Sequence, residues 1–171
     1  FVPGEYGGTG IAPRAGNGAN PLAELNRNAD DRASDLRLIG SVFMDIKIVD
    51  ALSFKTTFGG TYQTEYNTDW TGSTYERSEN VATPSYNENA RFRQDWVWTN
   101  TLTFSKTFGS SKLNAVAGYE AVKYGIGREM SATGAGYFSD AVSFRTLNNR
   151  ASIQSVSGDY FTPTSLVSTF L

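Results

Sequence analysis

The sequence contains neither cysteine nor histidine, and these two absences exclude several kinds of chemistry. Without cysteine there can be no disulfide, no thiolate metal site and no thiol nucleophile. Without histidine the usual general base and the commonest metal ligand are missing. No Ser-x-x-Lys signature is present to replace them. The sequence therefore predicts a protein that is not an enzyme, with no catalytic residue, no metal site and no cofactor.

Two further features are missing. The net charge is -2 and no basic block occurs, which argues against a nucleic-acid partner. No apolar run approaches the roughly 18 residues that a transmembrane helix needs. This second absence still allows a membrane β-barrel, because barrel strands alternate apolar and polar residues. Asp30, Asp31 and Asp35 match no EF-hand spacing, and solvated loop charge is the better interpretation.

What the sequence does contain is strict alternation in aromatic and β-branched segments. In "LRLIGSVFMDIKI" the even positions are apolar from Leu36 to Ile48, and the odd positions are mostly polar. In "LSFKTTFGGTYQTEYN" the rings of Phe54, Phe58, Tyr62 and Tyr66 alternate with polar residues. A period of two over about fifteen residues predicts strands about twice the usual length.

The predicted elements form two hairpins with very unequal connections. Residues 35–67 and 94–125 are predicted hairpins with turns near Asp50 and at Gly109-Ser110-Ser111, and residues 164–171 begin a fifth strand. Residues 1–34, 68–93 and 126–163 are predicted extracellular loops, with a short helical turn capped by Asn20-Pro21 in the first. Short turns at one end and long loops at the other favour an all-β fold, a fragment of a transmembrane antiparallel barrel. The alternative is a soluble β-sandwich with the same rings in its core.

The spacing of the rings supports the barrel. Phe54 and Tyr66 are twelve positions apart, as are Trp96 and Phe108. Twelve steps span about 40 Å along a strand and about 28 Å through a tilt of about 45°, close to the apolar band of a barrel. We therefore predict a lipid-facing and girdle set: Phe54, Phe58, Tyr62, Tyr66, Trp96, Trp98, Phe104, Phe108 and Tyr119. The opposite parity, which includes Lys55, Gln63, Glu65, Asp95 and Thr99, is predicted to face the lumen.

The long loop 68–93 carries three rings, Trp70, Tyr75 and Tyr86, among amide and carboxylate residues. Rings surrounded by directional hydrogen-bonding groups suit the capture of a sugar or a peptide. These three residues are the candidate substrate-binding residues. The alternative is that the rings pack the loop against its neighbours.

Several stretches resemble the barrel of SusC/RagA-type TonB-dependent outer-membrane transporters. "NPLAELNRN" precedes "LRLIGSVFMDIKIVDALSFKTTFGGTY", and "LTFSKTFGSSKLNAVAGYEA" follows. The last stretch matches the family's "L-x-F-x-K-x-F-G" strand at Leu102 to Gly109 and its "L-N-x-x-A-G-Y-E" strand at Leu113 to Glu120. The resemblance covers most of residues 20–124. Because the chain begins without methionine and ends within a predicted strand, we expect it to be an internal segment of a longer protein.

The resemblance implies a 22-stranded barrel with a plugged lumen in the outer membrane of a Gram-negative, Bacteroidetes-type bacterium. The implied partners are a SusD-like surface lipoprotein, the TonB complex acting through a plug absent from this chain, outer-membrane lipid, and an oligosaccharide or peptide cargo. Two alternatives remain open at this stage. One is a carbohydrate-binding soluble sandwich, and the other is a different outer-membrane barrel, a porin-like channel or an adhesin.

Overall fold

The computed structural model of the chain describes residues 6–8, 18–77 and 79–171. Much of the predicted first loop, 1–34, therefore lies outside the described residues. Helix α1 is Pro21–Arg27, and the strands are β1 Arg32–Val49, β2 Leu52–Thr71, β3 Ser85–Phe108, β4 Ser111–Ala135, β5 Ser152–Tyr160 and β6 Thr164–Phe170. Two 3-10 turns, Val142–Phe144 and Leu147–Asn149, lie between β4 and β5. The helices in the described part of the chain are all too short or too polar to cross a membrane.

The strands form one sheet in the order β1-β2-β3-β4-β5, and β6 also pairs with β4. The sheet is mostly antiparallel and unclosed, which confirms the predicted all-β class and fits a fragment of a barrel. Both predicted tight turns are present, and Gly109 adopts φ +58 in the second. The helical turn is confirmed as well, because the Asn20 side chain accepts hydrogen bonds from the backbone N–H groups of Leu22 and Ala23.

Strands β3 and β4 are longer than predicted and extend into the segments predicted as loops. β3 begins at Ser85 and β4 continues to Ala135, past residue 126, where the predicted loop begins. Gly125 has φ +74 within the strand, and its N–H donates to Asp95 Oδ1 at 2.6 Å. A glycine of positive φ inside a continuing strand is typical of a β-bulge rather than a turn.

The bulge is also visible in the side chains. Before Gly125, the even-numbered Asn114 and Glu120 contact odd-numbered residues of β3, whereas after it the odd-numbered Ser131 and Thr133 do so. One extra residue in β4 accounts for this exchange of parity.

The chain ends in two strands, β5 and β6, where the sequence predicted only the start of one. β6 pairs antiparallel with residues 118–124 of β4, from Gly118 opposite Phe170 to Tyr124 opposite Thr164. β5 pairs with the later part of β4, as the bond from Ala151 N to Ala135 O shows. β5 and β6 thus pair with successive parts of β4, one after the other. They are separated by residues 161–163, where Pro163 has no N–H to donate to a neighbouring strand.

The chain divides into two compact units. The first, here the loop unit, comprises residues 1–34, 65–90 and 130–158; the second, the strand unit, comprises residues 35–64, 91–129 and 159–171. Within the described residues, the buried aromatic core belongs to the loop unit and consists of Trp70, Tyr86 and Tyr137. The buried apolar residues of the described strand unit are the small Ala121 and Val122.

Candidate functional site

One face of the strand unit is apolar and open. It carries the even-numbered residues that β1, β2 and β3 contribute to this unit, most of them apolar, and Tyr119 of β4. Phe58 and Trp96 stack with ring centroids 6.1 Å apart, and Trp98 meets Tyr119 edge-on at 6.2 Å. Trp98 Nε1 also donates to Thr56 Oγ1 at 2.9 Å, so its polar atom has a partner on this face. We call this surface the apolar face.

The predicted lipid-facing residues of both units remain exposed to a large extent. The exposed fraction is 49% for Phe58, 43% for Trp98 and 53% for Phe108, and Tyr62, Tyr66 and Tyr119 are also exposed. Phe54, Trp96 and Phe104 are half-buried. On β1, Leu36, Leu38, Val42 and Met44 extend the exposed apolar surface. An apolar surface of this extent marks contact with lipid or with another protein.

The opposite face of the strand unit, the polar face, carries side chains that bond to one another across strands. Gln63 Nε2 donates to Asp35 Oδ2 at 2.9 Å, and Thr99 Oγ1 lies 3.1 Å from Glu120 Oε2. The Lys55 ammonium lies 5.2 Å from the Phe43 ring centroid. Gln63 and Thr99, two of the polar residues predicted for the lumen, therefore have hydrogen-bond partners on neighbouring strands.

A cleft of about 510 Å³ opens in the strand unit above Gly59. Its lining includes Ser41, Thr61, Asp95 and Val97. Asp95 is already engaged, because its Oδ1 accepts from the Gly125 N–H at 2.6 Å. A Cβ placed on Gly59 would approach the Ser41 Cβ at 3.2 Å, so a larger residue here would have to displace Ser41 by a few tenths of an ångström.

A buried ion pair organises the loop unit. The two guanidinium nitrogens Nη1 and Nη2 of Arg27 donate to the two carboxylate oxygens of Glu76 at 2.7 and 2.8 Å. Glu76 is fully buried, and it also accepts from the Tyr75 N–H at 3.1 Å. These hydrogen bonds, first of all those from Arg27, lower the pKa of Glu76 to about 2, and the carboxylate raises the pKa of Arg27. A second ion pair, Arg77 with Glu24, joins the same loop to α1.

The three candidate ligand-binding rings have different environments. Trp70 and Tyr86 are 3% and 8% exposed, and each packs against Tyr137, at 5.1 and 6.4 Å between ring centroids. The Arg145 guanidinium lies 4.8 Å from the Trp70 ring. These contacts fit the alternative interpretation, in which the rings pack the loop, since neither Trp70 nor Tyr86 leaves a face open to a ligand. Tyr75 is 47% exposed, and its hydroxyl accepts from the Tyr6 N–H at 2.9 Å.

A polar cleft in the loop unit was missed by the sequence reasoning. It has a volume of about 400 Å³ and is lined by Asp31, Arg32, Ala33, Asn67, Thr68, Asp69 and Asn89. The sequence signal that could have predicted it is the set of odd-numbered amide and acid residues near the ends of neighbouring strands. Asp31 is not simply solvated, because its Oδ1 accepts from the Trp70 N–H at 2.7 Å. Across residues 6–8, 18–77 and 79–171, no three acidic, histidine or cysteine residues are grouped so as to hold a metal ion.

The chain is similar in sequence to one known protein and in fold to part of another. No protein-family model matches the sequence. The chain is 30% identical over 155 residues to TonB-dependent receptor P3 of Formosa agariphila, an alignment that covers 88% of this chain and 15% of that protein. Its fold is similar to part of the solved RagAB peptide importer in the closed-closed state, with a TM-score of 0.61, 18% identity, and coverage of 81% of this chain and 15% of that one. The chain thus spans about 15% of the length of each.

These similarities confirm the resemblance that the sequence motifs predicted. The receptor aligns over most of the chain in sequence, and the importer shares the antiparallel fold. The relatives carry the names of a receptor and an importer, not of an enzyme.

Proposed function

We propose that this chain, which resembles SusC/RagA-type TonB-dependent transporters in both sequence and fold, forms part of the wall of such a transporter's barrel. In this proposal the whole protein lies in the outer membrane of a Gram-negative, Bacteroidetes-type bacterium. It imports an oligosaccharide or a peptide together with a SusD-like lipoprotein, and TonB supplies the energy through the plug. The chain itself contributes wall, turns and loops, and carries out no bond-breaking chemistry.

The observation that carries this proposal is the apolar face. Phe58, Trp98 and Phe108 are each exposed by more than two fifths, while the opposite side of the same strands carries hydrogen-bonded polar rows. Lipid on one side and a polar lumen on the other account for both faces at once. Rings at positions 96 and 98 lie twelve and ten positions from Phe108, which fits two interfacial girdles.

The domain assignments follow from this orientation. In this proposal the predicted loops 68–93 and 126–163 lie outside the cell, and the turns at Asp50 and Gly109 lie in the periplasm. Tyr62, Tyr66, Trp96 and Trp98 then belong to the outer girdle, and Phe54 and Phe108 to the inner one. A buried core supports the loop unit in water, whereas lipid covers the apolar face of the strand unit.

The two alternatives, a soluble sandwich and a different outer-membrane barrel, predict different surroundings for the strands. A soluble carbohydrate-binding sandwich would cover the apolar face with a second sheet, and a porin-like channel or adhesin would be a barrel without a plug. The described residues of this chain supply one sheet. The similarity to a TonB-dependent receptor favours the transporter over the other barrels.

The test uses the full-length protein in its own cells. Uptake of fluorescent oligosaccharide and peptide mixtures is measured with and without an uncoupler of the proton gradient, and in a strain that lacks TonB. The proposal predicts that the protein fractionates with the outer membrane and that its uptake stops under both treatments. Uptake that continues without TonB would show a passive channel instead, and recovery of the full-length protein from aqueous buffer without detergent would exclude the barrel.

A further inference from the structure

We propose that Lys123 and Arg128, two cations of β4 on the apolar face of the strand unit, bind the phosphate of an anionic lipid headgroup. We call these two residues, together with the ring of Tyr160, the basic site. The inference rests on the proposed function, in which the apolar face lies against lipid, and it adds the headgroup chemistry that this face selects.

The bulge at Gly125 brings both cations to one face. Before the bulge, odd-numbered β4 residues such as Tyr119 share the apolar face with Trp98, and Lys123 has the same parity. In a regular strand, residues 123 and 128 would point to opposite faces. The extra residue of the bulge reverses the parity, so Arg128 joins Lys123 on the apolar face.

An aromatic ring accompanies each cation. The Arg128 guanidinium lies 5.2 Å from the ring centroid of Tyr160, which is exposed. The register of β3 and β4 places Lys123 beside Trp96, a ring of the predicted outer girdle. A long basic side chain in such a setting keeps its stem against apolar neighbours and extends its charge toward the headgroups. In the proposed orientation both charges therefore lie at headgroup level.

The strand unit, which the structure describes throughout, distributes its charges unequally between its two faces. The charged residues on the apolar face are all basic: Lys106, Lys123 and Arg128. The acidic residues within the strands of this unit all have the parity of the polar face: Asp35, Asp45, Asp95, Glu120, Glu129 and Asp159. Exclusion of charge alone would remove both signs from the apolar face, whereas only the negative sign is missing. The face therefore complements an anionic headgroup.

The two cations of the basic site are not neutralised by the protein. Among the residues that the structure describes, neither Lys123 nor Arg128 forms an ion pair. Glu88, which has the even parity of the apolar face in β3, belongs to the loop unit and hydrogen-bonds with Tyr66 and Tyr86. Both charges of the basic site are thus left for an anion from outside the protein.

A lipid phosphate suits this pair of cations. A guanidinium binds phosphate through two parallel N–H donors, and an ammonium adds a point charge with three donors. Four strand steps, about 13 Å, separate Lys123 from Arg128, a span that two long side chains can close around one headgroup. A zwitterionic headgroup would bring its own cation against Lys123 and Arg128, so an anionic headgroup is preferred.

The experiment is native mass spectrometry of the purified full-length protein in a neutral detergent. The protein is titrated separately with phosphatidic acid and with phosphatidylcholine of the same acyl chains, and inorganic phosphate is added as a competitor at the lipid concentration. The test variants are Lys123→Gln, Arg128→Gln and the double variant. Lys55→Gln is the matched control, because Lys55 lies on the polar face of the same unit and is also 5.2 Å from a ring centroid.

The expected result is a preference of about tenfold for phosphatidic acid over phosphatidylcholine, the size of one charge-assisted hydrogen bond. The double variant should lose this preference, Lys55→Gln should keep it, and inorganic phosphate should not displace the lipid. Each single variant should weaken the preference by about threefold, which decides the matter if the double variant does not assemble.

Four outcomes would overturn the basic site. These are equal binding of the two lipids, a preference that the glutamine variants retain, a preference that Lys55→Gln removes, and displacement by inorganic phosphate. Uptake in cells tests the proposed function separately. TonB-dependent uptake without a lipid preference would overturn the basic site alone, and a lipid preference without TonB-dependent uptake would overturn the transporter alone.

Discussion

The loop unit buries three of its large aromatic side chains, whereas the strand unit leaves many of its large apolar side chains exposed. The loop unit covers Trp70 with Tyr86 and Tyr137 and buries an Arg27–Glu76 ion pair beside its helix. The strand unit leaves large apolar side chains such as Phe58 and Phe108 exposed, although it is the more regular of the two. The same chain thus contains a unit built like a water-soluble domain and a unit without a large buried core.

The proposed function explains this difference by the solvent around each unit. In water, exposing a face of leucine, phenylalanine and tryptophan forfeits about 25 cal/mol for each Å² left uncovered. In a bilayer the same face is already in its preferred medium, whereas backbone polar groups must be paired, as they are in a sheet. The predictions below test whether each unit responds to substitution as its solvent requires.

The largest effect is expected in the loop unit from Glu76→Ala. The substitution leaves the Arg27 guanidinium, 14% exposed, without its carboxylate, which costs about 3–5 kcal/mol for a buried pair. Hydrogen exchange on the full-length protein should show lost protection in α1 and in residues 72–77. Asp50→Ala removes the partner of Lys47 in an exposed pair and serves as the control, with no change expected. Equal protection in both variants would show that the ion pair does not hold the loop.

The strand unit is tested by placing a cation on each face. Phe104→Arg puts a guanidinium on the apolar face and should cost about 2–4 kcal/mol near mid-bilayer. Thr103→Arg, on the neighbouring polar parity, should be milder. The readout is the fraction of full-length protein that migrates as a folded barrel in unheated gels of outer-membrane fractions. If the two variants assemble equally well, the assignment of the faces is wrong.

Acid should loosen the loop unit through Glu76. The folded-state pKa of Glu76 is lowered from 4.5 to about 2, so the stabilisation by this carboxylate is complete above about pH 4.5 and is lost as the pH falls through about 2. Amide protection factors in residues 72–77, measured from pH 6 to pH 2, should therefore fall over this window. A Glu76→Gln variant should show no such fall, and a fall of the same size in that variant would assign the transition to another group.

The smallest effect is expected from Tyr137→Phe. The Tyr137 hydroxyl is buried and has no hydrogen-bond partner among the described residues, and burial raises the pKa of its phenol. Removing an unsatisfied buried hydroxyl should stabilise the loop unit by up to about 1 kcal/mol. Tyr75→Phe, which loses the acceptor of the Tyr6 N–H, should be slightly destabilising. Protection factors of the loop unit compare the two, and a destabilised Tyr137→Phe would mean that the hydroxyl has a partner.

Sequence alone predicted β1 to β4, the presence of β6 and the sharing of faces because period-two alternation is local. Phe58 and Trp96, predicted on one face from parity, do stack. The β4 bulge could not be predicted in this way, because Gly125 and Gly127 look like a turn unless the Asp95 bond that keeps the strand continuous is known. For the same reason the strand that follows β4 begins at Ser152, earlier than the predicted start at residue 164.

The side-chain contacts of the loop unit could not be predicted from the sequence. Trp70 and Tyr86 lie in a polar loop sequence, which suggested ligand contact, but Tyr137, more than fifty residues later, covers them. The Arg27–Glu76 pair likewise joins residues 49 positions apart. Composition shows which groups are present in a loop, while their pairing depends on the tertiary structure.

The account rests on the apolar face lying against lipid, and spin labels test this directly. Because this chain contains no cysteine, Phe104→Cys and Thr103→Cys can be labelled singly in the full-length protein in bilayers, once any cysteines elsewhere are replaced. Collisions of each label with oxygen, which concentrates in lipid, and with a water-soluble nickel complex are then compared. The account predicts that the label at 104 favours oxygen and the label at 103 does not. A label at 104 that collides mainly with the nickel complex would contradict it.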